Sequence, residues 1–113
     1  MNDVERIELT IDQARNTIAL MQSLDRLSQN KDFQDIIDNG YFRDEAVRLV
    51  HLRSDPQMQE DHMRRNIDEQ IMAVGSFRGY LNRILQQGHA AQSAIMEHEQ
   101  TREELLQEDL DNE

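Results

Sequence analysis

From Pro56 onward the chain places apolar residues on a seven-residue step: Ile67, Val74, Leu81 and Ile95, with Gly88 in the slot between the last two. A second line, Phe77, Ile84, Ala91 and Leu105, runs three residues behind it. Alternating steps of three and four are the pattern of a helix that lies along another helix over a long distance. The stretch from Pro56 to about Leu106 therefore predicts either one very long helix, its part within the domain over about 56–96, or two helices hinged at Gly88. Fifty residues of helix would reach roughly 75 Å at about 1.5 Å per residue. The short elements that precede such a helix cannot cover it within a compact bundle. The expected fold is all-α, an elongated helical bundle or hairpin whose last helix is the longest and is kinked, if anywhere, near Gly88.

Three further helices are expected ahead of it. The first, about 3–28, opens with a capping-box pattern, Asn2 followed by Glu5, and carries Val4, Ile7, Ile11, Ala14, Ile18 and Met21 on an unbroken 3-4 rhythm. Leu20, Leu24 and Leu27 widen that face toward its end. After the polar break Ser28-Gln29-Asn30 a short helix, about 31–38, turns Phe33, Ile36 and Ile37 inward. Asn39-Gly40 is expected to end it, because both residues tolerate the left-handed conformation that closes helices. A third helix, about 41–53, uses Phe42, Ala46, Leu49 and Val50 as its apolar face, with Asp44 and Arg48 paired outside. Ser54-Asp55-Pro56 is a boundary: Asp55 is a good N-cap and Pro56 suits a first helical position. Glu60–Arg64 and Asp61–Arg65 are expected pairs on the polar lead-in that follows. Gly75 and Gly79, four apart, suggest a smooth strip for close approach of another backbone.

Composition narrows the function classes. Apolar residues make up 37% of the chain, below the roughly 45–50% of an ordinary globular domain, so the core must be thin or shared. There is no cysteine, hence no thiolate nucleophile or metal site, and no run of apolar residues long enough for a membrane span. The start of the chain lacks the positive patch and apolar run of a signal peptide, and a soluble protein is expected. The net charge of −11 is not spread evenly: residues 89–113 hold eight acidic side chains against one basic. A terminal cluster of this kind is a solvated tail or a docking strip for a basic partner. It is not the even spacing of a nucleic-acid mimic, and no direct nucleic-acid binding is expected. The tail, 97–113, is expected as an acidic helical or frayed end beyond a helical domain of 1–96, because Glu99–Glu103 and Glu104–Glu108 are like-charge pairs. Removing it is expected to be tolerated.

No catalytic, cofactor or metal set stands out. His51, His62, His89 and His98 are never three or four apart, and none has an acid three residues before it. That spacing does not suit a di-metal site in a bundle. A non-enzymatic protein without cofactor is expected. Its candidate interaction residues are Ile67, Val74, Phe77, Leu81, Ile84 and Ile95 on the long helix, with Glu99, Glu103 and Glu104 beyond them.

The blocks KDFQDIIDNGYFRDEAVRLVHLRSDP (31–56) and GSFRGYLNRILQQGHAAQSAI (75–95) resemble a family of small helical proteins of tailed bacteriophages. The shared pattern is Phe33, the Gly40-Tyr41-Phe42 turn, the Glu45-Ala46-Val47-Arg48-Leu49 helix, the Asp55-Pro56 break and a long helix. The resemblance implies a structural or assembly role in a phage particle, as a homo-oligomer or beside portal, capsid or scaffold, in the virion or the host cytoplasm. The alternative is a phage-encoded inhibitor that binds a host protein, its acidic end occupying a basic surface.

Overall fold

A computed structural model describes residues 2–112 and is helical almost throughout. Among these residues there is no strand. Helix α1 spans Asp3–Ser28, α2 Lys31–Phe33, and a π-helical segment Gln34–Glu45 leads without a break into α3, Ala46–Ser54. A 3-10 turn, Pro56–Met58, precedes α4, which runs for 51 residues from Asp61 to Asp111. The chain forms two compact units, Met1–Leu24 with Arg83–Glu113, and Asp25–Asn82.

The local signals at the helix starts act as the residue types dictate. Asn2 and Glu5 form the reciprocal box: the Glu5 N–H donates to Asn2 Oδ1 at 2.8 Å and the Asn2 N–H to Glu5 Oε2 at 3.1 Å. Asn30 caps α2 by accepting from the Phe33 N–H at 3.0 Å. Asp55 accepts from the Gln57 N–H at 2.9 Å, with Pro56 at the first position of the 3-10 turn. The lead-in therefore starts as a 3-10 turn and α4 itself begins at Asp61, five residues later than Pro56.

The Asn39-Gly40 stop is not used. The helix continues through both residues in the wider π winding, and no described non-glycine residue or glycine has positive φ. Gly40 still matters there: a Cβ added to it would lie 3.0 Å from the Asp35 carbonyl oxygen, five residues back. Glycine thus leaves room for the wide turn instead of ending the helix. The winding also changes which side chains face inward. Phe33, Ile37, Phe42 and Ala46 are half-buried at steps of four and five residues, with Tyr41 beside them, whereas Ile36 is 67% exposed. Farther on, Leu49 is 1% exposed, but Val50 turns outward at 59%. Ile36 and Val50, expected in the core, therefore lie on the surface.

In the unit of residues 25–82, α4 packs back along the π segment and α3. Phe77 stacks on Phe42 with centroids 5.4 Å apart and meets Tyr41 edge-on at 5.9 Å, while the Arg78 guanidinium lies 4.3 Å over the Phe42 ring. At the other end Arg53 Nε donates to Asp68 Oδ1 at 2.7 Å. Leu49 and Ile67 are the buried residues of this unit among those described.

In the other unit, α1 pairs antiparallel with the last half of α4. Met21 lies against Gly88, Arg15 reaches Glu99 at 3.6 Å, and Asn2, Asp3 and Val4 share a recess with Leu105 and Asp109. The surface ion pair is worth at most about 1 kcal/mol. The register is set by Gly88, where an added Cβ would collide with Met21 Sδ and fall 2.5 Å from the Met21 Cβ. Gly88 is not a stop; α4 continues through it as helix. Gly75 and Gly79, by contrast, have nothing within 4 Å of where a Cβ would stand and mark no close approach. The like-charge tail is helical to Asp111, with Gln100 donating to Glu104 at 3.1 Å and Gln107 to Asp111 at 3.0 Å. Residues 97–111 belong to the same compact unit as α1, so the sequence boundary at 96 has no counterpart in the packing.

Candidate protein-interaction surfaces

The expected interaction residues fall into three groups. Ile67 and Ile84 are buried within the chain, at 3% and 8%. Val74, Phe77, Leu81 and Ile95 are half-buried, and Phe77 is held in the aromatic cluster. Glu99 is half-buried beside Arg15, whereas Glu103 and Glu104 are exposed. The heptad seam thus supplies the internal packing, and the structure does not gather these nine residues into one patch.

The surface is where apolar side chains remain. Among the described residues six hydrophobic side chains are buried while twelve large ones stay exposed, so the chain leaves more of its large apolar residues in water than it closes off. Single exposed leucines are ordinary; exposed residues in line along a helix face are what mark an interaction surface. Each unit carries such a line, besides Leu9, Leu20 and Leu27 on one face of α1.

On α3 and the end of the π segment, Phe42, Arg43, Ala46, Val47, Val50 and His51 line a groove of about 320 Å³. Val47 and Val50 are exposed at its lip. Its charged and titratable lining is Arg43 and His51, with no carboxylate. Arg43 pairs with its neighbour Asp44, Nε to Oδ1 at 3.0 Å, and both side chains are about two-thirds exposed. A second, larger groove of about 590 Å³ lies on the other side of the same helix, lined by Ile36, Ile37, Gly40, Tyr41, Glu45 and Phe77. Here the one charged group is Glu45, which accepts from Arg48 Nε at 2.9 Å. That bond, the first of its causes, holds the Glu45 carboxyl below its ordinary pKa and the Arg48 guanidinium above its own. The partner of Arg48 is thus Glu45, three residues away, because Asp44 is taken by Arg43. Likewise Arg64 pairs with Asp61 and not with Glu60.

At the end of α4, Met96, Glu99, Glu103, Leu106 and Leu110 follow one another at steps of three, four, three and four, so they share one face. Met96, Leu106 and Leu110 are exposed, and Leu105 next to them is the half-buried residue turned to α1. This face is readable from spacing, although Leu105, which continues the inward line, is the more conspicuous residue. Val50 is not readable, because the spacing sets it on the inward face with Ala46 and Leu49, yet it is exposed.

His51, His62 and His89 are exposed, and His98 is half-buried on the α4 stripe. Among the described residues no three His, Asp or Glu side chains converge as metal ligands would, and no helix is long and apolar enough to cross a membrane. Comparison of the chain with protein-family models, with curated proteins and with solved structures gives no match.

Proposed function

We propose that this protein is a non-enzymatic assembly protein that works in multiple copies through helix–helix contacts. The observation that carries the reading is the pair of exposed apolar lines, Val47–Val50 on α3 and Met96–Leu106–Leu110 on α4, beside a core of six buried side chains among the described residues. A helix that exposes leucines at i and i+4 loses about 25 cal/mol of hydrophobic stabilisation for every Å² left in water, and a neighbouring helix removes that loss. The tailed-phage resemblance of residues 31–56 and 75–95 supplies the setting: a structural component of the particle, beside portal, capsid or scaffold, in the virion or the host cytoplasm.

Sedimentation equilibrium over a wide concentration range tests the reading. Reversible association above the monomer mass is the expected result; a monomer at every concentration refutes self-assembly. The second reading, an inhibitor of a host protein, rests on the exposed Glu103 and Glu104 at the end of α4. It requires a stable monomer whose complex with one basic host protein is lost when both residues are changed to Gln.

A further inference from the structure

We infer that copies associate with the outer face of the α4 end of one copy seated in the α3 groove of another. The inference rests on the self-assembly reading and names its two surfaces. The seat is the groove of Phe42, Ala46, Val47 and Val50 with Arg43 and His51 on its rim. The occupant is the line Met96, Glu103, Leu106 and Leu110 of a second copy.

Charge selects this pairing. Of the two apolar grooves on the π segment and α3, the one containing Gly40 and Phe77 offers an acidic helix no cation in its lining: its charged residue is Glu45, whose carboxylate already holds Arg48. The groove at Val47 and Val50 carries cationic or protonatable groups alone. Arg43 can turn to a new carboxylate, since its pair with Asp44 is exposed to solvent and weakly held. The α4 end has the complementary makeup: apolar residues at Leu106 and Leu110, with Glu103 one turn before Leu106. Leucines at i and i+4 present two knobs to a groove, which is the usual way an amphipathic helix lies in an apolar seat.

Seat and occupant are different surfaces of one chain, so copies joined in one direction build rings or open filaments, and copies joined reciprocally close as a two-fold pair. One intact contact between two crippled copies must then give a finite dimer. This supplies the experiment. Val50→Asp spoils the seat and leaves the α4 end intact; Leu110→Asp does the reverse. Both positions are exposed, so each variant is expected to keep the wild-type far-UV circular dichroism and melting curve. Sedimentation is expected to show each variant alone as a monomer and their equimolar mixture as a 1:1 dimer. Association of the wild type is expected to weaken at about 0.5 M salt, where Arg43 and Glu103 are screened. If Leu110→Asp associates as the wild type does while Val50→Asp does not, the grooves pair with each other and the inference falls, though self-assembly stands. A mixture that stays monomeric also overturns it. A wild type that never associates removes both readings together.

Discussion

Gly88→Ala is the most direct test of how α1 and α4 are held. In an exposed helix interior, Gly→Ala gains about 1 kcal/mol, because alanine loses less backbone freedom on folding. At Gly88 the new Cβ would collide with Met21 Sδ and sit 2.5 Å from the Met21 Cβ and 2.8 Å from its Cγ. The sulfur could swing aside, but the Met21 Cβ is fixed to the backbone, so the two helices must separate. Met21 is 4% exposed, and parting the helices there opens a buried position of a thin core. Overpacking of this kind costs about 1–3 kcal/mol, and more where backbone must move. The cost exceeds the propensity gain, and a net loss of about 1–2 kcal/mol is expected, lowering Tm by roughly 4–10 °C for a domain near 100 residues. Gly75→Ala is the control: nothing lies within 4 Å, so Tm is expected to rise by a few degrees. Thermal melts followed by far-UV circular dichroism on dilute protein read both. A Gly88→Ala variant as stable as Gly75→Ala would refute the close packing of α1 on α4.

Leu49→Ala removes a side chain that is 1% exposed and is expected to cost about 2–5 kcal/mol in a denaturant titration; a loss below about 1 kcal/mol would mean the site is not closed. Cutting the chain after Ile95 is expected to lower helicity by more than the deleted residues account for. The Met21–Gly88 register places Ile11 level with His98, and Ile11, 1% exposed, would lose its cover, a loss of about 1.5–3 kcal/mol. A truncated chain that melts like the full one would show that α1 does not depend on the α4 end. Arg48→Gln is expected to return the Glu45 titration upward toward an ordinary glutamate, read by carboxyl NMR, since the Arg48 bond lowers it now. Because the folded pKa is the lower one, the pair's small contribution to stability is present above the unfolded pKa and fades as pH falls through the folded value. An unchanged Glu45 titration in Arg48→Gln would show the bond is absent in solution.

Much of the fold is legible in the residues themselves. Helix starts at Asn2, Asn30 and Asp55 are local chemistry: a side-chain oxygen two or three residues before an unpaired N–H needs no tertiary partner. The seam residues Ile11, Met21, Ile67 and Ile84 follow from periodicity, because a helix in water must put its apolar stripe against something. The all-α class follows from the same pattern.

The glycines show where local reading stops. All four are compatible with several roles, since lacking a side chain is an opportunity and not a contact. Spacing suggests a close-approach strip at Gly75 and Gly79, and both face open space. It suggests a break at Gly88, which is a point of close approach to Met21, and a stop at Gly40, which makes room for a wide turn. Only the neighbouring backbone and Met21 distinguish these cases. The π winding is likewise a property of the packed segment, and it moves Ile36 from core to surface by changing the angular step between side chains. The sequence by itself determined the helices and their inward stripes, because those depend on residues three or four apart. The tertiary structure decided register, the role of Gly88 and which apolar side chains were left over, because those depend on atoms far away along the chain.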